Sequence, residues 1–168
     1  MSIKQSPDLA YVQRPTGMPP LASAGQRVSA RLIDTVLLGV IWTAALVLTG
    51  ALRYSMDHPG KQDSGKILFA ALVTFALYFL YEGLMLAHSG QTLGKKALRI
   101  RVAVLADGNV PAARGWARAA LYVLPGLLTP VFLGTLFWLL NSLWFLWDKP
   151  FRQCLHDKAA KTVVVEAY

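Results

Sequence analysis

Cysteine is almost absent from this chain. The single thiol, Cys154, excludes an internal disulfide and any zinc site built from cysteines. Charge is scarce as well: 15% of the 168 residues are charged, where an ordinary soluble domain has about 25%. Acidic residues are the scarcest, nine against seventeen lysines and arginines. The three histidines, His58, His88 and His156, stand singly without metal-ligand spacing, so neither a metal nor a cofactor is expected. Residues 90–95 hold glycines, a threonine and a lysine but lack the GxxxxGK[ST] spacing of a phosphate loop. His156 adjoins Asp157 and lies near Cys154, yet no second element completes a nucleophilic triad, so no catalytic residue and no enzymatic activity is expected.

Apolar residues fill the space that charge leaves. They make up 55% of the chain, and the mean hydropathy of +0.43 marks an integral membrane protein with a few spans and no large extramembrane domain. A net charge of +8 would suit nucleic acid if it gathered on a solvated surface. Here the basic residues lie between apolar runs, which argues against nucleic acid as a partner and for the positive-inside rule.

The order of segments predicts the topology. Residues 1–26 hold Pro7, Pro15, Pro19 and Pro20 without an apolar period and read as a disordered cytoplasmic leader before a membrane domain over 27–168. Runs at 29–52 and 67–87 are each long enough for a full transmembrane helix. The intervening loop is nearly neutral, whereas residues 88–118 carry six basic residues against Asp107, which places 88–112 in the cytoplasm. Within that loop, residues 98–104 alternate apolar and other side chains up to the turn signal Asp107-Gly108-Asn109, a strand pattern.

Residues 119–147 are too long for one span and too short for two, and Pro125, Gly126 and Pro130 divide them. The reading is a broken third hairpin over 113–148, with one helix at 113–127 and another at 130–148. A β-branched segment at 162–165 is the natural partner of 98–104, because a lone strand is unstable in water. The pairing puts the tail, 149–168, in the cytoplasm beside the amino terminus. The predicted fold is an all-α membrane protein with two full spans, a Pro-broken third hairpin and a short cytoplasmic strand pair.

Charge inside the first span is the main functional signal. Arg31 and Asp34 are three apart on one helix face, with Arg27 one turn earlier. An aspartate at the centre of a membrane helix costs about 2.5 to 3.5 kcal/mol and less toward the ends, so Asp34 requires a partner or a task. Glu82 falls at a similar depth in the antiparallel second span, and His156 and Asp157 are placed to approach from the tail. Two readings follow: a site that carries a proton or cation on Asp34 and Glu82, or an inter-helix latch in which Arg31 neutralises Asp34, with Glu82 or Asp157 as a further partner. Lys95, Lys96, Arg99 and Arg101 are assigned to anionic lipid headgroups, each worth about 1 kcal/mol near the surface. Gly39, Thr43 and Ala44 form a small-residue strip for close helix approach, so a homo-oligomer or a membrane protein partner is expected.

Three segments, ARLIDTVLL at 30–38, SGQTLGKKALRIRV at 89–102 and RQCLHDKAAKTVVV at 152–165, occur in an order and spacing that resemble the RDD family of small bacterial membrane proteins. The resemblance places the family's arginine on Arg31 and its two aspartates on Asp34 and Asp157. It departs at Leu93, where the motif often has proline, and at Arg99 and Lys161, where glycine is usual. The resemblance implies a bacterial inner-membrane location, with cation/proton antiport proposed for some members.

Overall fold

The computed structural model describes residues 17 to 167, so most of the expected leader, residues 1–16, lies outside the described residues. The rest of that leader, 17–26, is bound to the fold. The Ala22 N–H donates to the Val164 carbonyl at 3.1 Å, and the Glu166 N–H donates to the Pro20 carbonyl at 2.9 Å.

Helix α1, Ala24–Leu48, starts two residues later on a capping box between Ser23 and Gln26. It ends before Gly50, whose φ of 71° breaks the run expected to continue to 52, and α2, Ala51–Asp57, follows as a separate short helix. Helix α3, Ser64–Ser89, is capped by the Asp63 carboxylate, which accepts the Lys66 N–H. With 25 and 26 residues, α1 and α3 are about 37 to 39 Å long, enough to cross a hydrocarbon core of about 30 Å. Only 11% and 28% of their most apolar stretches are buried within the protein, which is unlike the core helices of a soluble domain.

Helix α4, Leu93–Ala97, leads into β1, Ile100–Val104, and α5 covers Ala113–Val123. Gly115 lets α5 meet α3 closely: a Cβ there would stand 2.8 Å from the Ala87 nitrogen. The helix expected over 113–127 stops at Val123: Pro125 has no N–H to donate to the Leu121 carbonyl, so the α ladder lapses while Leu124 keeps helical backbone, and the chain runs on as a 3₁₀ segment, Leu124–Val131. Helix α6, Leu133–Leu143, starts later than the expected 130 and gives way to a 3₁₀ turn at Trp144–Leu146. After α7, Leu155–Ala159, the chain closes with β2, Thr162–Glu166.

The two strands pair, as expected, and do so antiparallel with Val102 opposite Val164; Leu21 adds a bridge to Val165. Ala22, Ala30, Leu86, Ile100 and Val164 pack into one apolar cluster, which seats the sheet against the near ends of α1 and α3.

Two departures from the resembling motif sit where the backbone wants glycine. Arg99 has φ 52° and Lys161 φ 53°. A left-handed conformation costs a side chain about 1 to 2 kcal/mol. Arg99→Gly and Lys161→Gly are therefore each expected to stabilise the detergent-solubilised protein by about 1 kcal/mol, less some gain in unfolded-state entropy. Thermal unfolding checks this, and lower midpoints for both variants would reject it.

Candidate functional site

At the sheet-proximal ends of α1 and α3, the predicted charges are brought together, but their pairing differs from the expected one. Arg31 does not pair with Asp34. Its Nη1 donates to Glu82 Oε1 at 3.0 Å, its Nη2 lies 3.3 Å from His156 Nε2, and its guanidinium covers the Tyr122 ring at 3.9 Å from the centroid. Azimuth explains the choice: Arg31 points across to α3 and α7, whereas Asp34, one turn on, faces α4.

Asp34 is fully buried and saturated. Oδ1 accepts from the Tyr81 hydroxyl at 3.0 Å and from the Gly94 N–H at 3.0 Å, and Oδ2 accepts from the Thr92 hydroxyl at 2.7 Å. Lys95 Nζ lies 3.8 Å from Oδ2. Thr92 is also the N-cap of α4. The GQT-GK motif is therefore the cradle of Asp34, a role its loop position concealed. Leu93 occupies the first helical position, where proline would fit. In this chain its N–H donates to the Tyr81 oxygen at 2.8 Å and helps fix that hydroxyl on Asp34.

Lys95, expected at lipid headgroups, is instead only 3% exposed, because its helix lies against α1. Lys96 and Arg99 do face outward, and Arg101 is half-buried with Nη1 donating to the Gly108 carbonyl at 3.1 Å. Burial, helped by Arg31 and Arg118, pushes the Lys95 ammonium down to about 7 against the pull of Glu82 and Asp34. The sign follows from proton counts: between about 7 and the ordinary 10.5 the unfolded chain holds a proton that the folded protein has released, so stability rises with pH. Unfolding midpoints are expected to climb from pH 7 to 9.5 and to lose this climb in Lys95→Met; a flat native profile refutes it.

Arg118, counted in the sequence as one more loop cation, is 1% exposed and central. Its Nε donates to Asp157 Oδ1 at 2.7 Å, and its Nη1 comes within 3.6 Å of Glu82 Oε1. Burial favours protonation of Asp157, but Arg118 beside it overrides this and holds the carboxyl well below its ordinary range. Asp157 Oδ2 accepts the Cys154 N–H at 3.1 Å, closing the turn into α7.

His156 Nδ1 meets Asn141 Oδ1 at 2.7 Å. With Nδ1 as the donor, Nε2 is left to accept from Arg31, so the ring is neutral. Burial and then Arg118 push its pKa well below the ordinary value, in agreement. Arg27 ties the start of α1 to the sheet, donating to the carbonyls of Ala22 at 3.3 Å, Val164 at 3.0 Å and Arg152.

Cys154, His156 and Asp157 bring one donor atom each within 4.8 Å of one another. Arg118 holds one Asp157 oxygen, and Asn141 and Arg31 take the two imidazole nitrogens, so this set is committed to protein contacts rather than to a metal. Burial, then Asp157, pushes the Cys154 thiol up to about 12, which leaves it without nucleophilic thiolate.

Two long apolar helices, a small sheet and a buried charge layer beneath it define a helical membrane protein. A family model described as RDD family matches residues 21–161. The chain belongs to the RDD family. Neither a curated protein nor a solved structure matches it.

Proposed function

We propose that this protein is a non-enzymatic structural or accessory subunit of the bacterial inner membrane, and that its charge layer is a latch. The latch lies at the cytoplasmic face, with both termini on that side and 113–148 folded as a hairpin against the bilayer. One observation carries the reading: among the described residues, each of the three buried carboxylates, Asp34, Glu82 and Asp157, is engaged by donors from other elements, so the network joins α1, α3, α4, α5 and α7. A carboxylate that exchanges protons or cations must release its partners. Asp34 would have to release four.

A second reading, proton or cation transport, is favoured by Glu82 Oε2, which is buried without a hydrogen-bond partner. Glu82→Gln separates the two. For a latch, proteoliposomes of the native protein show no proton or sodium flux above empty vesicles, and Glu82→Gln lowers the unfolding midpoint. For a transporter, native flux is present and vanishes in Glu82→Gln at unchanged midpoint.

A further inference from the structure

The latch accounts for the carboxylates but leaves one cation unexplained. Arg27 is 7% exposed, yet its hydrogen bonds go to main-chain carbonyls, and no carboxylate among the described residues lies within 4.0 Å of it. A buried guanidinium without a counterion is costly, because desolvation is not repaid by charge pairing. A second group is only partly engaged: Arg118 Nη1, buried, lies 3.6 Å from Glu82 Oε1 and has no hydrogen-bond partner.

Both arginines line one cavity of about 230 Å³, which Arg31 and Lys95 also line. Asp157 borders it as well, but Arg118 and the Cys154 N–H occupy its oxygens. The remaining walls are mainly apolar and include Val28 and Leu32 of α1 and Leu143 of α6, all of which are exposed on the outer surface of the protein, with Thr35 and Ser142 among the uncharged polar residues. The cavity is thus basic within and opens beside helix faces made for hydrocarbon.

We propose that this cavity binds a phosphate group, with Arg27, Arg31 and Arg118 as its donors. Guanidinium forks match phosphate geometry, and a phosphate supplies the counterion that Arg27 lacks. The volume is below the roughly 300 to 1,000 Å³ of sites that enclose a whole small molecule, so the cavity takes a phosphate and leaves the rest of the molecule outside. The phosphate belongs either to an anionic phospholipid, whose chains lie along α1 and α6, or to a free phosphate ester. This site is separate from the exposed Lys96 and Arg99 and is internal to the helices.

The test uses the full-length protein. It is delipidated, placed in nanodiscs of phosphatidylcholine with phosphatidylglycerol, and its retained lipids are counted by native mass spectrometry. In parallel, its unfolding midpoint in detergent is followed with inorganic phosphate against chloride at equal ionic strength. Arg27→Gln removes the unpaired charge but also three carbonyl contacts, so Ser142→Asp, which puts a carboxylate on the cavity wall without touching them, is the main variant. Preferential retention of phosphatidylglycerol, weakened about tenfold or more by Ser142→Asp, identifies a lipid phosphate. A midpoint raised by phosphate and insensitive to it in Ser142→Asp identifies a free ester. Equal retention of both lipids with no effect of phosphate overturns the proposal, as does either effect persisting unchanged in Ser142→Asp. Should Ser142→Asp fail to fold, Arg27→Gln is read for the same losses.

Discussion

Arg118→Met is expected to lower stability by about 3 to 5 kcal/mol, the cost of removing one partner from a buried ion pair. The side chain is 1% exposed and sits 2.7 Å from Asp157, and no other lysine or arginine among the described residues lies within 4.0 Å of that carboxylate; His156 Nε2, 3.6 Å away, is neutral. Methionine fills the stem volume but strands that carboxylate and deprives Glu82 of its second cation. A native stability of 5 to 15 kcal/mol does not leave much after such a loss, so a poor yield of folded protein is the immediate sign. The informative measurement is the double variant Arg118→Met with Asp157→Leu. Removing both charges replaces a broken pair by apolar packing, which is close to neutral for many buried pairs, so the double variant is expected to be more stable than Arg118→Met alone. Unfolding midpoints that fall additively would show that the pair is not coupled and would remove α5 from the latch.

The difference between Arg118 and its neighbours shows what a sequence can and cannot convey here. The long apolar runs and the β-branched segments were legible because burial against lipid or in a sheet follows directly from side-chain type, and the two expected strands do pair. The existence of a charge layer was legible too, because Asp34 and Glu82 each interrupt an apolar helix. The pairing was legible only in part: Glu82 stood as a further partner of Arg31, but not as its main one. Pairing depends on helix azimuth and on which loop folds back, and neither is encoded in spacing along one helix. Arg31 therefore found Glu82 and not the nearer-in-sequence Asp34.

Nothing in the Lys95-Lys96 pair says that the first is buried and the second exposed; that is decided by how α4 lies against α1. Arg118 had one faint signal, Gly115 three residues earlier on the same helix face, a small residue that suits close packing. Asn141 had none: in a run of leucines and aromatics it read as an isolated mid-depth polar group, and only the tail brings His156 to its oxygen. The third region broke at its prolines as expected, but nothing in the sequence showed that Gly126 there lies close against Phe75 and Trp138.

Gly94→Ala is the other large effect, and it tests the cradle of Asp34 without altering any charge. A Cβ on Gly94 would stand 2.1 Å from the Ala30 carbonyl oxygen and 3.0 Å from Asp34 Oδ1. The first contact is backbone inside α1, which cannot yield without loosening the helix, so α4 must move away. As α4 moves, the Gly94 N–H leaves Asp34, and Thr92 and Lys95, carried on the same short element, are drawn off with it. Overpacking of this kind costs about 1 to 3 kcal/mol, and a hydrogen bond lost from a charged group adds about 1.5 to 3, giving a total of about 2.5 to 6 kcal/mol. Gly25→Ala, where the nearest atom to an added Cβ is 3.9 Å away, is the matched control and should be neutral or more stable by about 0.5 kcal/mol. If the two alanine variants unfold at similar temperatures, α4 is free to shift, the motif is not a rigid cradle, and Asp34 is open to the partner exchange that a latch forbids.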